Sequence, residues 1–152
     1  MTAILSLLPI SELRGAIPFA VARGVPLLPA AAFSIFCNML AGPLAYLFLN
    51  SVHGLLYRWT AYRRFFDSFV ERARAKVHPS VEKYGYWGLM VFVAIPLPLT
   101  GAWTGVLGGW ILGIEMKKTM LAVAAGVFIA GCIVSGVVGF GIGALSFLIK
   151  TL

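Results

Sequence analysis

The chain has 152 residues, of which 61% are hydrophobic and only 11% are charged, and its formal net charge is +7. Soluble domains carry about 25% charged residues, so this composition excludes an ordinary soluble protein and indicates a single integral membrane domain. Most of the basic residues lie beside apolar segments. This placement is typical of cytoplasmic loops near anionic lipid rather than of nucleic-acid binding.

Four apolar stretches follow one another along the chain. They cover residues 1–22, 26–50, 86–114 and 119–149. A bilayer span needs roughly 20 apolar residues, so each stretch is long enough to cross a membrane. No charged residue interrupts the second and fourth stretches, and we expect both to be transmembrane helices.

The first stretch contains charged residues where a membrane span would have hydrocarbon neighbours. It reads PISELRGAIP at residues 9–18, with Ser11, Glu12 and Arg14 between two prolines. The third stretch is also broken, because its middle reads AIPLPLTGAWTG with Pro96 and Pro98. Proline removes a backbone donor and disfavours a helical residue before it. Such broken, polar segments occur at membrane depth only inside protein or along a water-filled cavity.

The two broken stretches resemble each other, and each precedes an unbroken span. Arg14-Gly15-Ala16 aligns with Thr100-Gly101-Ala102, and a proline lies shortly before each match. We therefore predict an all-α fold of two repeats, residues 1–50 and 80–152, in which stretches 1–22 and 86–114 are re-entrant hairpins. Paired interrupted segments of this kind indicate transporter sites near the membrane midplane.

The distribution of basic residues favours the same arrangement. If all four stretches crossed, the basic loops 51–85 and 115–118 would lie on opposite sides of the membrane. With two re-entrant hairpins both loops share one side, and only Arg23 and Lys150 lie opposite. The positive-inside rule therefore predicts a multi-pass protein of the cell membrane in inverted repeat, with both basic loops in the cytoplasm.

The linker 51–79 has the pattern of an amphipathic helix. Apolar residues recur every three or four positions from Leu55 to Val77, and Pro79 is expected to end the helix. Its arginines, mostly off the apolar stripe, are Arg58, Arg63, Arg64, Arg72 and Arg74. We expect this basic helix to lie in the membrane interface. Docking of a partner, as in calmodulin targets, is the alternative.

Small residues form a stripe along the last span. Gly131, Ser135, Gly139 and Gly143 recur at four-residue intervals. This spacing lets helix backbones approach closely, either within the monomer or at a homodimer seam.

Glu12 and Arg14 are the candidate site. In an extended hairpin turn, residues two apart point the same way, so the two charges could neutralise each other or hold an ion. In the structural interpretation they only lock the turn. In the functional one, Arg14 attracts an anionic group while Glu12 exchanges a proton. Across the site, Thr100, Trp103 and Thr104 would supply neutral donors and an aromatic wall.

The remaining polar residues indicate no chemistry of their own. Cys37 and Cys132 lie in apolar segments, and Asn38 is expected to form a hydrogen bond between helices. The sequence has no nucleophile–base arrangement, metal-ligand spacing or phosphate loop. We therefore predict no enzyme activity, no metal and no cofactor.

The motifs SELRGAIP and IPLPLTGAWTG, with the basic linker and KYGYWG between them, resemble the small multi-drug export family. That family is more distantly similar to the DedA and VTT-domain membrane proteins. The resemblance implies two re-entrant hairpins in inverted repeat, with Glu12, Arg14 and Pro18 in the first motif. It implies that the second motif comprises Pro96, Pro98, Thr100, Gly101 and Thr104.

Three functions are open at this point. The leading hypothesis is a transporter or scramblase of DedA type for an anionic, lipid-like substrate such as a polyprenyl phosphate or a phospholipid, with proton coupling. The second is a proton-coupled exporter of cationic hydrophobic compounds, against which the closeness of Arg14 to Glu12 argues. The third is a membrane scaffold whose linker helix recruits lipid or a partner.

Overall fold

A computed structural model describes the backbone of residues 2–8, 11–97 and 100–151, and the side chains of 2–8, 11–68, 70–72, 84–97 and 100–141. The described residues contain helices and no strands, which confirms the predicted all-α class. The helices are α1 (Thr2–Leu7), α2 (Glu12–Ala22), α3 (Leu27–Leu47), α4 (His53–Leu56), α5 (Thr60–Tyr84), α6 (Tyr86–Ala94), α7 (Ala102–Ile111) and α8 (Met116–Thr151). One π-helical turn, Phe48–Val52, joins α3 to α4.

Two helices are long and apolar enough to cross a bilayer. They are Leu27–Leu56, which includes α3, the π-turn and α4, and Met116–Gly141 in α8. These helices correspond to the two spans expected at residues 26–50 and 119–149.

The two long helices pack side by side in opposite directions. Gly42, late in α3, faces Met120 near the start of α8, and a Cβ on Gly42 would lie 3.5 Å from the methionine sulfur. At the other end, a Cβ on Gly139 would lie 3.1 Å from the Leu27 side chain. The end of α3 and the beginning of α8 therefore lie at the same end of the molecule.

The α6–α7 pair runs beside α8 for only part of its length. The two helices have nine and ten residues, so each rises only about 13–15 Å. A Cβ on Gly109, late in α7, would meet Thr119, whereas a Cβ on Gly105, nearer its start, would lie 3.1 Å from Val123. Pro96, in the turn, lines a cavity with Val127 and residues further along α8. The turn between α6 and α7 thus lies level with the middle of α8.

The α1–α2 pair approaches the same level from the other end. Leu13, at the start of α2, lies against Gly131 in the middle of α8, and α2 ends next to the start of α3. A pair of short helices followed by a long helix therefore occurs twice. The two turns meet near the middle of α3 and α8.

Two prolines lie inside helices that the sequence pattern breaks or ends. Pro18 lies within α2, and α5 continues past Pro79 to Tyr84. Pro43 lies within α3, in the stretch expected to be an unbroken span. A proline costs one backbone hydrogen bond, which neighbouring helical residues and tertiary packing can offset. The linker 51–79 is not a single helix either, because α4 and α5 are separated by the turn at residues 57–59.

The apolar stripe of α5 packs on protein. Phe66 and Val70 contact the main hydrophobic core, and α5 packs against both α6 and α7. The short α6–α7 pair leaves apolar surface that this part of α5 covers. The expectation that the basic helix lies in the membrane interface stays a prediction, because Leu55 and Trp59 of the same stripe are 67% and 71% exposed.

Candidate functional site

The Glu12 carboxylate lies where the two short-helix pairs meet. Glu12 begins α2, its side chain is 5% exposed, and it accepts hydrogen bonds from the backbone N–H groups of Ala102 and Trp103 and from the Asn38 side chain. Backbone N–H groups at a helix start are unpaired and carry partial positive charge, so they favour an anion. We call Glu12, Asn38, Gly101, Ala102 and Trp103 the junction.

Gly101 makes room for this carboxylate. A Cβ at this position would overlap both carboxylate oxygens of Glu12. The φ angle of Gly101 is 175°, which any residue adopts, so space rather than backbone conformation requires the glycine. The glycine of the TGAWTG motif therefore has a specific packing role.

The backbone of Glu12 is strained. Its φ angle is 42°, in a region that residues other than glycine seldom occupy. Strain of this kind is kept where surrounding contacts impose it, and it clusters at functional sites. The three hydrogen-bond donors at the Glu12 carboxylate are contacts that can hold the backbone in this conformation.

Arg14 does not pair with Glu12, which corrects the predicted extended turn. Glu12 is the first residue of α2 and Arg14 lies in its first turn, where positions two apart do not share a face. Within the described part of the chain, the Arg14 guanidinium forms no ion pair or hydrogen bond, although its charge is close enough to act on Glu12. Arg14 is half-buried and lines a cavity beside the junction.

This cavity is small and partly open. Both short-helix pairs and both long helices line it: the polar or turn residues are Glu12, Arg14, Asn38, Pro96, Thr100 and Gly101, and the apolar ones are Leu13, Val93, Val127, Ala130 and Val134. Its free space suffices for about one water molecule. An amphipathic substrate would need the lining helices to separate.

The predicted neutral donors are engaged within the protein. The Thr100 hydroxyl donates to the carbonyl oxygens of Ile95 (2.6 Å) and Leu97 (2.7 Å), closing the turn after α6. The Thr104 hydroxyl accepts from the backbone N–H of Gly101 at 3.0 Å, at the start of α7. These hydroxyls shape the start of α7, and Thr100 also lines the cavity.

Trp103 connects the two short-helix pairs directly. Its indole N–H donates to the Leu7 carbonyl oxygen over 2.8 Å, at the end of α1. On the other side of the turn, the Ser11 hydroxyl donates to the Leu5 carbonyl oxygen over 2.6 Å. Both hydrogen bonds stabilise the turn between α1 and α2 where it meets α7.

Asn38 has a larger role than the sequence indicates. It is 1% exposed in the middle of α3, donates to Glu12, and leaves its Oδ1 without a hydrogen-bond partner among the described residues. The hydroxyl of Ser34, one turn earlier, is likewise buried and unpaired. The feature of the sequence that could have indicated this role is a carboxamide inside an apolar span, where an unsatisfied polar group is costly.

The other predicted residues lie away from the junction or outside the described residues. Pro18 lies in α2 two turns after Glu12, where it cannot donate to the Arg14 carbonyl oxygen. Pro98 lies outside the described residues, as do the side chain of Arg74 and the surroundings of Gly143. Arg58, Arg63, Arg64 and Arg72 are exposed on the linker, far along the chain from the cavity lining.

The glycine stripe faces α3. A Cβ on Gly131 would overlap Ile35, and Gly139 faces Leu27, as described above. The Ser135 hydroxyl donates to the Gly131 carbonyl oxygen within α8 over 2.7 Å. The stripe therefore packs within the monomer.

Comparison with known proteins identifies a family. The sequence profile of the family described as "Putative small multi-drug export protein" matches residues 12–133, from the junction carboxylate to the middle of α8. No curated protein and no solved structure matches the chain significantly. Because the match covers most of the chain and includes both turns, the protein belongs to the small multi-drug export family of membrane proteins.

Proposed function

We propose that the protein is a proton-coupled exporter of small amphipathic compounds and that Glu12 couples proton movement to substrate movement. The supporting observation is the buried Glu12 carboxylate, which three donors hold and which forms no ion pair among the described residues. Ionisable groups at membrane depth are costly and mark proton or substrate paths in transporters. The export description of the family agrees with this role.

In the proposed membrane arrangement, the α1–α2 and α6–α7 pairs are re-entrant hairpins in inverted repeat. The antiparallel packing of α3 and α8 supports this, because it requires the chain between them to begin and end at one end of the molecule. That end carries Arg64 and Lys118, so the positive-inside rule assigns it to the cytoplasm.

The proposed cycle opens and closes the junction. Protonation of Glu12 removes the negative charge that attracts the N–H groups of Ala102 and Trp103 and the Asn38 amide. Charge-assisted hydrogen bonds are roughly twice as strong as neutral ones, so the turns then separate more easily and the cavity enlarges. Loss of the proton restores the closed state, in which the cavity is too small for a substrate.

Cationic hydrophobic compounds are the first candidate substrates. The Glu12 carboxylate forms no ion pair among the described residues, although the Arg14 charge still acts on it. The export description of the family favours this substrate class. A cation could therefore exchange with a proton at Glu12 once the cavity opens.

An anionic, lipid-like substrate is the second candidate. The unpaired Arg14 guanidinium favours an anion beside the same cavity. The distant DedA resemblance points to the same class, including polyprenyl phosphates and phospholipids.

The test uses the full chain in proteoliposomes with a pH-sensitive dye inside. We expect a cationic dye to cross the bilayer only when a pH gradient is present. Its movement should be accompanied by a proton flux in the opposite direction, which the pH-sensitive dye inside the vesicles reports. Glu12→Gln should abolish both the movement of the cationic dye and the proton flux. Glu71→Gln, which changes an exposed carboxylate on α5, is the matched control and should behave as the unmodified protein. Dye movement that survives in Glu12→Gln would overturn the proposal.

The second arm replaces the dye with a fluorescent anionic lipid. Movement of this lipid that Arg14→Gln reduces would establish the second substrate class. If neither probe moves in any sample, the scaffold hypothesis takes precedence, and the linker arginines become the residues to neutralise.

A further inference from the structure

The linker helix α5 has an inner and an outer surface. On the inner surface, Tyr62 and Phe66 pack around His53, whose ring centroid lies 4.1 Å from that of Phe66. His53 also lies 5.9 Å, centroid to centroid, from Trp110 at the end of α7. These contacts fix α5 to the protein and determine which side chains face outward.

The outer surface combines arginines with exposed aromatic rings. Trp59, just before α5, is 71% exposed, and Phe65 is 72% exposed. The exposed basic side chains in the same segment, residues 58–72, are Arg58, Arg63, Arg64 and Arg72. We call these six residues the outer face. Large exposed rings among cationic side chains are typical of helices that lie in a membrane interface.

Nearby acidic groups cancel only part of this charge. Asp67 accepts a hydrogen bond from the Tyr57 hydroxyl at 2.9 Å and pairs with Arg63 at 3.9 Å. Glu115 is paired with Lys118 at the beginning of α8, 3.1 Å away. Glu71, directly before Arg72, is exposed and offsets one further positive charge. With four arginines against Asp67 and Glu71, the outer face keeps an excess of positive charge, and Lys117 adds to it at the same end of the molecule.

We propose that the outer face binds the headgroups of anionic lipids, with the Trp59 and Phe65 rings inserted among them. Charge complementarity identifies the occupant, because anionic leaflets attract clusters of basic residues near membrane-crossing helices. The exposed rings favour a bilayer over a soluble acidic partner, because they gain from burial at the headgroup level. This binding site is separate from the junction and does not depend on Glu12.

The test measures the lipid that surrounds Trp59 in the full chain. The protein is reconstituted with brominated phosphatidylglycerol or brominated phosphatidylcholine at equal total bromine, and the Trp59→Phe variant provides the signal of the other tryptophans. We expect the anionic lipid to quench Trp59 several-fold more strongly in mixed bilayers at low salt, and less so at high salt.

Charge variants distinguish lipid binding from a loss of structure. The triple variant R63Q/R64Q/R72Q should lose the preference for the anionic lipid, whereas the triple Arg→Lys variant should keep it. Arg23→Gln, which changes an exposed arginine at the opposite end of α3, is the matched control and should have no effect.

Two outcomes would overturn the proposal. Equal quenching by both lipids would show that Trp59 lies in the bilayer without selecting anionic headgroups. No quenching by either lipid would place the outer face away from the bilayer and leave a soluble acidic protein as its occupant. Neither outcome affects the dye measurement at Glu12, so the two proposals fail separately.

Discussion

At the residue scale, Glu12 shows how spacing along the chain differs from proximity in space. Arg14 lies two positions away, but α2 separates the two side chains, and Glu12 instead contacts residues about 90 positions later. A helix start supplies donors without any charged side chain, so a sequence pattern cannot reveal this partner. The match between residues 14–16 and residues 100–102 was recognisable in the sequence, but the contact between Glu12 and Gly101 was not.

The tightest contact of the junction yields a prediction for Gly101→Ala. A Cβ there overlaps the Glu12 carboxylate, so we expect a loss of about 1–3 kcal/mol in stability and a loss of transport. Thermal unfolding in detergent and dye movement in vesicles measure the two effects. Gly54→Ala, where a Cβ meets nothing within 4 Å, is the control. An unchanged melting temperature for Gly101→Ala would contradict the junction geometry.

At the scale of elements, periodicity predicts helices but not what covers them. The apolar stripe of the linker correctly indicates an amphipathic helix, yet Phe66 and Val70 pack on the core of the protein. Periodicity alone cannot distinguish a lipid surface from a protein surface, because both accept the same apolar side chains. Proline signals were also weaker than expected, since α2 continues through Pro18 and α5 through Pro79.

The close packing of α8 predicts opposite effects for two of its glycines. A Cβ on Gly126 would lie 2.6 Å from the Cβ of Val93 and 2.8 Å from the Met90 carbonyl oxygen, neither of which can easily move. Gly126→Ala should therefore lower the melting temperature. A Cβ on Gly136 would meet no atom within 4 Å. Gly136→Ala should therefore leave the melting temperature unchanged or raise it, because alanine favours a helix over glycine by up to about 1 kcal/mol. Equal effects would argue against the α6–α8 contact.

At the scale of the whole molecule, the two basic loops lie at one end. The antiparallel packing of α3 and α8 produces this arrangement, and the charge pattern alone had favoured it. In a background without Cys37 and Cys132, we expect single cysteines at Arg64 and Lys118 to be labelled from the same side of a sealed vesicle. A cysteine at Arg23 should be labelled from the other side. Labelling of Arg64 and Lys118 from opposite sides would contradict the re-entrant arrangement.

The sequence by itself determined the membrane class, the two long helices and the two broken stretches, because these depend on composition, on length and on local backbone chemistry. It also singled out Glu12 and Gly101 as unusual residues. Only the tertiary structure decided that the two meet, that Asn38 joins them and that Arg14 stays unpaired. The reason is that hydrogen-bond partners far apart in the chain are selected by how helices pack, and packing depends on all the side chains together.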